Sequence, residues 1–328
     1  GMIKSLADRI RGNVQRVIIG RSNVIDVLIA ALIAGGHALL EDVPGTGKTV
    51  MAKALSRSID SDFKRVQFTP DLLPSDLTGI NFYNQKQGEF VLREGPLFTD
   101  ILLADEINRA TPRTQSSLLE CMEERQISID GVTYPLGELF FVIATENPIE
   151  IAGTFPLPEA QLDRFLVRLH VGYPSFDESI RMIDRFVSQN PLAQIKPVCS
   201  VDEIVEAKNA FAGVYISPEI REYMVKIIEG TRSASSVKLG VSPRGMLALV
   251  KMCQAYASIK GREYVTADDV KDMSRYVLPH RIILKENVRV KGVSSEGIVE
   301  RILSEVPSPT EDWKNSGRSA HDGKAENR

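Results

Sequence analysis

The chain has 328 residues, 43% hydrophobic and 25% charged, and its 40 Lys and Arg oppose 43 Asp and Glu for a formal net charge of -3. This is the composition of a globular protein long enough for two domains, and it argues against a disordered chain and against the basic footprint of a nucleic-acid binder. Three scattered cysteines, four histidines without metal-ligand spacing and no apolar run long enough to cross a bilayer lead us to expect a cytoplasmic protein with reduced thiols and no structural metal.

In chain order, the first signal is an apolar turn, Val17-Ile18-Ile19-Gly20-Arg21, ahead of a helix predicted over 22–34 whose apolar run is interrupted by Asp26. A strand over 37–40 then runs into Asp42-Val43-Pro44-Gly45-Thr46-Gly47-Lys48-Thr49, and a helix over 50–58 leaves it. That is the layout of a phosphate-binding loop. Gly45 and Gly47 let the backbone curl so that successive N–H groups point at phosphates. Lys48 would reach the β- and γ-phosphates, the Thr49 hydroxyl would ligate Mg²⁺, and the helix starting at Val50 would turn its positive end to the same anion. The general pattern asks for glycine at position 42, where this chain has Asp42.

A strand over 65–68 is followed by a polar excursion, 70–99, whose centre has two short apolar-aromatic runs about a polar tip, a hairpin pattern over 80–92. The apolar strand 101–104 ends in Asp105-Glu106. These acids suit a nucleotide hydrolase, Asp105 holding the Mg²⁺ shell through water and Glu106 polarising an attacking water. They would equally serve as the polar first turn of the next helix. Arg109 and Arg113 flank that helix and are expected to be solvated or paired with acids such as Glu123 or Glu124, so they stand outside the catalytic set.

Asp130-Gly131, between the alternating runs of 126–135, signals a tight hairpin turn. A strand over 139–144 ends near Glu146-Asn147-Pro148, which places an amide beyond the carboxyl end of a strand, where ligand sites of open α/β sheets lie. An Asn-Pro turn without a ligand reads the same way. With a last strand over 166–171, the segment is a doubly wound parallel-sheet α/β domain. After Gly172-Tyr173-Pro174 the pattern is helical, over 176–189, 201–212, 218–231, 243–259 and 267–278, and a polar tail predicted to be disordered begins near 307.

Leu40-Glu41-Asp42-Val43-Pro44-Gly45-Thr46-Gly47-Lys48-Thr49, Asp105-Glu106-Ile107-Asn108-Arg109-Ala110 and Ala144-Thr145-Glu146-Asn147-Pro148 together resemble the MoxR family of AAA+ ATPases. So do Pro156-Leu157-Pro158-Glu159-Ala160-Gln161-Leu162-Asp163-Arg164-Phe165 and Ser242-Pro243-Arg244-Gly245. The likeness spans residues 9 to about 303, and Asp42 is ordinary within it. It implies a P-loop core over 1–173, with a helix-2 insertion over 70–99 and a hairpin over 126–135, then an all-helical lid over 174–306.

The resemblance also assigns roles. Val43, Pro44, Gly45, Thr46, Gly47, Lys48, Thr49 and Val50 would cradle ATP phosphates, and Ile19 and Gly20 would touch the adenine. Asn147 matches the first sensor, Arg164 the arginine finger that reaches a neighbouring subunit, and Arg244 the second sensor, acting in its own subunit or the next. The implied function is Mg-dependent ATP hydrolysis by a homo-hexamer, coupled to chaperone-like remodelling, activation or metal-insertion maturation of a client protein. A client carrying a von Willebrand factor A domain is the implied type. Two other readings stand beside it, a nucleic-acid motor with the same helix insertion and an ATP-gated assembly switch with negligible turnover. The low positive charge, with Asp130 at one hairpin tip and only Lys86 near the other, weighs against the first. Glu106 weighs against the second.

Overall fold

The computed structural model describes residues 1–42, 47–147, 153–188 and 191–309. Val43, Pro44, Gly45 and Thr46 of the predicted phosphate loop, Pro148, and residues 310–328 of the predicted tail lie outside them. The chain divides into two compact units, Gly1–Ala210 and a second that starts at Phe211.

The first unit opens with helices α1 (Met2–Val14) and α2 (Ser22–Ala34), then β1 (Ala38–Asp42), α3 (Lys48–Ser58), β2 (Phe63–Gln67) and the short α4 (Pro74–Thr78). A hairpin of β3 (Gly79–Asn84) and β4 (Glu89–Glu94) precedes β5 (Ile101–Asp105), α5 (Pro112–Glu124) and a second hairpin of β6 (Gln126–Ile129) and β7 (Val132–Pro135). Strands β8 (Phe141–Glu146) and β9 (Val167–Val171) and helices α6 (Phe176–Ser188) and α7 (Val201–Ala210) complete it.

Five strands form a sheet in the order β2-β5-β8-β1-β9, every neighbouring pair parallel. Its inner strands are apolar on both faces because helices cover both, and β5 is buried along its whole length. Leu39, Leu102, Ala104, Val142 and Ala144 of the sheet pack with Leu118, Leu119 and Met122 of α5 in one hydrophobic core. The chain leaves β1 for the far edge, so the two strands flanking β1 are both later in sequence. A crevice opens at the carboxyl ends of strands at such a point.

Helix α1 is an element the sequence reading did not foresee, and it explains the charge inside α2. Leu6, Ala7, Ile10 and Val14 are buried at helical spacing, and Arg11 of the same helix pairs with Asp26, which is buried. Arg11 also holds Asp8 at 2.7 Å. The division between units falls after Ala210, later than the lid start expected near 174, because α7 packs on α1 and α2. The segment before α7 is tied down as well, with Asn13 Nδ2 donating to Lys196 O at 2.7 Å and Val198 N to Ser58 O at 2.9 Å.

Both hairpins are antiparallel ribbons, and Asp130 and Gly131 take the positive φ values, 50° and 80°, that a tight two-residue turn requires. The first ribbon is closed at its base by two glycines whose backbones cross. A Cβ on Gly79 would lie 2.1 Å from Arg93 O, and one on Gly95 would lie 2.3 Å from Leu77 O. The two ribbons meet, with Asn81 Nδ2 donating to Asp130 Oδ2 at 3.3 Å and Phe98 set edge-on to Tyr134 at 6.0 Å between ring centroids.

The second unit holds α8 (Pro218–Ser233), β10 (Val237–Leu239), α9 (Pro243–Ile259), α10 (Ala267–Val277), β11 (Ile283–Leu284), α11 (Glu286–Arg289) and α12 (Ser295–Glu305). It is helical apart from the short β10–β11 ribbon. Its helices start on polar caps, Ser217, Ser242, Thr266 and Ser294 each accepting a backbone N–H from the first turn. Thr266 and Asp269 form a reciprocal capping box. No helix among the described residues is long and apolar enough to cross a membrane.

His37 fastens the amino-terminal end of the sheet. Its Nδ1 accepts from Val142 N at 3.0 Å and its Nε2 donates to Met122 O at 3.0 Å, so the ring is needed neutral. Burial, with the nearby Arg125 guanidinium, pushes its pKa down to about 3 from 6.5. Below pH 6.5 the unfolded chain therefore takes up a proton that the folded chain refuses, and stability falls as pH drops toward 3. Denaturant titrations across that window should show this loss in the wild type, on the order of 4 kcal/mol, and a flatter profile for His37→Gln.

Candidate functional site

The carboxyl ends of β1, β8 and β5 lie side by side and bring the predicted nucleotide residues together. Lys48 begins α3 directly after Gly47, whose φ of 83° lets the chain turn into the helix. From there Lys48 Nζ lies 3.9 Å from Asp105 Oδ1 across the sheet end. Thr49 and Val50 follow in the first turn of α3, so the positive helix terminus faces the same place.

Asp105 is buried, 7% exposed, at the last position of β5. Thr145 Oγ1 donates to its Oδ1 at 2.6 Å and Arg65 Nη2 to its Oδ2 at 2.7 Å. Both carboxylate oxygens are thus engaged, which suits a group that holds Mg²⁺ through water more than one that binds it directly. A carboxylate and the Thr49 hydroxyl are the hard oxygen donors that Mg²⁺ takes, and Lys48 supplies the cation that a phosphate needs.

Glu106 leaves the strand in the left-handed region, φ 55° and ψ 55°. For a residue with a Cβ that conformation is strained and clusters at functional sites. The turn is held because Glu106 N donates to Thr145 Oγ1 at 2.8 Å. Arg109 is half exposed, as a solvated arginine would be, and its Nη1 stands 3.5 Å from Glu106 Oε2. Asn147 follows β8, and its carbonyl accepts from Asn108 Nδ2 at 3.1 Å.

Arg164 ends the two-turn 3-10 helix Glu159–Arg164, and its Nε lies 3.2 Å from Glu123 Oε2 of α5. Arg244 is exposed in the first turn of α9 in the second unit, beside the cap formed by Ser242 Oγ and Gly245 N at 3.2 Å. Ile19 is buried and Gly20 takes φ 71° in the turn before α2, and Ile18 Cδ1 comes within 3.4 Å of a Cβ placed on Gly47. The turn therefore abuts the end of the phosphate loop.

Several participants were not singled out from sequence. Arg65 and Gln67 alternate on β2 and face the end of β5, a polar pattern on a sheet strand that could have signalled them. Thr145 looked like the last residue of an apolar run. Gln115 Nε2 donates to Ile107 O, Ala110 O and Phe155 O, and Phe155 N donates to Asn108 O at 2.6 Å, which fastens the chain before Glu159 to the turn that follows Glu106.

Comparison with known proteins agrees with this geometry. Residues 37–167 match the model of the ATPase family associated with various cellular activities (AAA), and residues 229–302 match the AAA lid domain. A chaperone named MoxR1 from Mycobacterium tuberculosis is 38% identical, over 90% of this chain and 80% of its own length. The chain belongs to the MoxR family of AAA+ ATPases. Another relative of this MoxR-family chain, the uncharacterized protein YeaC of Bacillus subtilis, is 48% identical over 91% of this chain and 93% of its own. A solved structure of a candidate ATPase from Cytophaga hutchinsonii is similar over 94% of this chain and 96% of its own, with 37% identity and a TM-score of 0.86. The parallel core and helical second unit of this chain are thus those of an AAA+ protein.

On the opposite face of the sheet from Asp105, this MoxR-family chain carries a second ionisable cluster. Glu41 lies 3.6 Å from Arg168 and 3.4 Å from His170 Nδ1, and Glu146 is its registered neighbour on β8. Burial, then repulsion from Glu41, pushes the Glu146 carboxyl up to about 7 against the pull of Arg168.

Two measurements follow from these contacts. Thr145→Val strands Asp105 Oδ1 and the Glu106 N–H together, and urea denaturation should register a loss of about 1–3 kcal/mol. Because the folded Glu146 titrates near 7 and the unfolded one near 4.5, its ionisation weakens the fold as pH rises through that window. Glu146→Gln should therefore match the wild type near pH 4.5 and exceed it by about 3 kcal/mol at pH 8, read by denaturation at both pH values.

Proposed function

We propose that this MoxR-family chain binds ATP with Mg²⁺ at the carboxyl ends of β1, β5 and β8 and hydrolyses it in an assembly of like subunits. The observation that carries the reading is the convergence of Lys48, which follows β1, with Asp105 and the strained Glu106 at the end of β5, across β8.

The phosphates of ATP would be cradled by residues 43–50, with Lys48 against the β- and γ-phosphates. Thr49 and Asp105 would hold the Mg²⁺, which supplies neutralisation of phosphate charge. Glu106, turned off the strand by its left-handed backbone, would accept a proton from the attacking water, and Asn147 would orient that water. Ile19 and Gly20 would pack on the base.

Arg164 would complete the site of a neighbouring subunit and stabilise charge on the transferring phosphoryl group. Its pairing with Glu123 gives it a resting partner within its own chain. Arg244 would sense the nucleotide from the second unit. A homo-hexamer, and a protein client of the kind that carries a von Willebrand factor A domain, are the assembly and partner we propose for the cycle. The chaperone MoxR1 supports the client reading by its name.

Steady-state ATP hydrolysis with Mg²⁺ should rise per subunit with protein concentration. Glu106→Gln should lower it by roughly 100-fold or more while ATP still binds. Arg164→Ala should be similarly impaired, and mixing the two variants should restore turnover, since an intact Arg164 from one subunit then meets an intact Glu106 in the next. Mixed assemblies verified by size that stay inactive would remove Arg164 from the shared site. Binding of ATP without turnover at any concentration would favour the assembly switch.

A further inference from the structure

Gln115 is a polar side chain at a buried position, 1% exposed in the first turn of α5. Its Nε2 faces three carbonyl oxygens, Ile107 O at 3.1 Å, Ala110 O at 3.0 Å and Phe155 O at 2.7 Å. Carbonyls only accept, so the amide presents its nitrogen there, and its two N–H groups serve three acceptors by sharing. Its Oε1 is buried and has no partner among the described residues. A bare acceptor in the interior costs free energy that a leucine or methionine at this position would avoid. Packing alone therefore does not account for an amide at 115, whereas its donors do.

The three carbonyls belong to two segments that carry candidate site residues. Ile107 follows Glu106, and Ala110 closes the same turn. Phe155 begins the run that leads through Pro156 and Pro158 to the helix ending in Arg164. The fixed φ of each proline leaves that run little slack, and Leu157 between them is buried in the core with Leu118, Leu119 and Met122 of α5. Both backbone groups of Phe155 are held, its N–H by Asn108 O at 2.6 Å and its carbonyl by Gln115. Asn108 also donates from Nδ2 to Asn147 O at 3.1 Å. One amide thus fixes the turn of Glu106 to the segment that ends in Arg164, and Asn108 joins the end of β8 to both.

We infer that Gln115 is a positioning residue for two neighbouring sites at once, setting Glu106 within its own subunit and Arg164 toward the next. This rests on the reading of Glu106 as the base and Arg164 as the finger supplied in trans. Loss of the Gln115 donors lowers turnover at both sites, whereas ATP binding, assigned to residues 43–50 on another element, is kept.

The test uses mixed assemblies in which only one kind of site can turn over. Arg164→Ala chains supply the base without a finger and Glu106→Gln chains supply the finger without a base, so a working site takes one chain of each. Gln115→Met keeps the length of the side chain and removes its donors. Placed in the Glu106→Gln chain it reports on the finger, and placed in the Arg164→Ala chain it reports on the base. Each placement should lower turnover of the mixture by about tenfold or more, with ATP affinity by calorimetry within about twofold of the parent. Gln115→Asn, which keeps an amide on a shorter stem, should fall between, and it carries the same test if the methionine variant fails to assemble. Leu118→Ala in the same two placements opens a cavity beside α5 without removing the amide, and should leave turnover within about twofold.

A loss in one placement alone confines Gln115 to one site and overturns the two-site role. No loss in either, an equal loss from Leu118→Ala, or a matching loss of ATP affinity reduces Gln115 to a structural residue and overturns it as well. If Arg164→Ala and Glu106→Gln chains, verified as mixed by size, restore no turnover before Gln115 is changed, the shared site itself falls, and this inference with it.

Discussion

A carboxylate taken out of water has to be satisfied by donors, and the architecture around Asp105 is organised to supply them. Arg65 reaches it from β2, Thr145 from β8 and Lys48 from the start of α3. Each donor depends on strand register. Ala104 is opposite Ala144 and Val66 is opposite Ala104, so Thr145 and Gln67 fall level with Asp105 at the strand ends. A slip of one residue in either pairing would send these side chains to the other face of the sheet. The hydrophobic core beneath holds that register, and the polar contacts at the strand ends read it out.

The sheet separates two electrostatic environments within one residue step. Asp105 and Thr145 point to the face where α3 begins, whereas Glu41, Glu146 and His170, one position along their strands, point to the other. On the first face a carboxylate is surrounded by cations and hydroxyl. On the second, two carboxyls share Arg168, and burial together with Glu41 pushes Glu146 up to about 7. Asn147 sits at the junction as the residue after Glu146, with its carbonyl tied to Asn108. The backbone at the end of β8 is thereby tied to the turn after β5.

Much of this was legible because the signals are short-range. Apolar runs ending in acids and an Asp-Gly turn are local patterns, and the elements they predict occur where they point. What was not legible is long-range pairing. Arg65 is 40 residues from Asp105, and no local rule connects them. Helix α1 was missed because its apolar stripe is interrupted by charges whose partners, Asp26 among them, lie on another helix. Strand ends were read short by one or two residues, since Asp42, Asp105, Thr145 and Glu146 are polar and sequence periodicity treats polarity as exit from a strand. Of these, Asp105 and Thr145 face the site. The grouping of α6 and α7 with the first unit is likewise a matter of packing that composition does not carry.

The contact between the two hairpins has a mechanical meaning. Asn81 of one ribbon holds Asp130 at the turn of the other, and Phe98 at the foot of the first lies against Tyr134 of the second. The first ribbon cannot hinge freely at its root, where the backbones at Gly79 and Gly95 already touch. The two projections are therefore tied to each other, and along the chain the first runs on into β5, which ends in Asp105, while the second leaves α5.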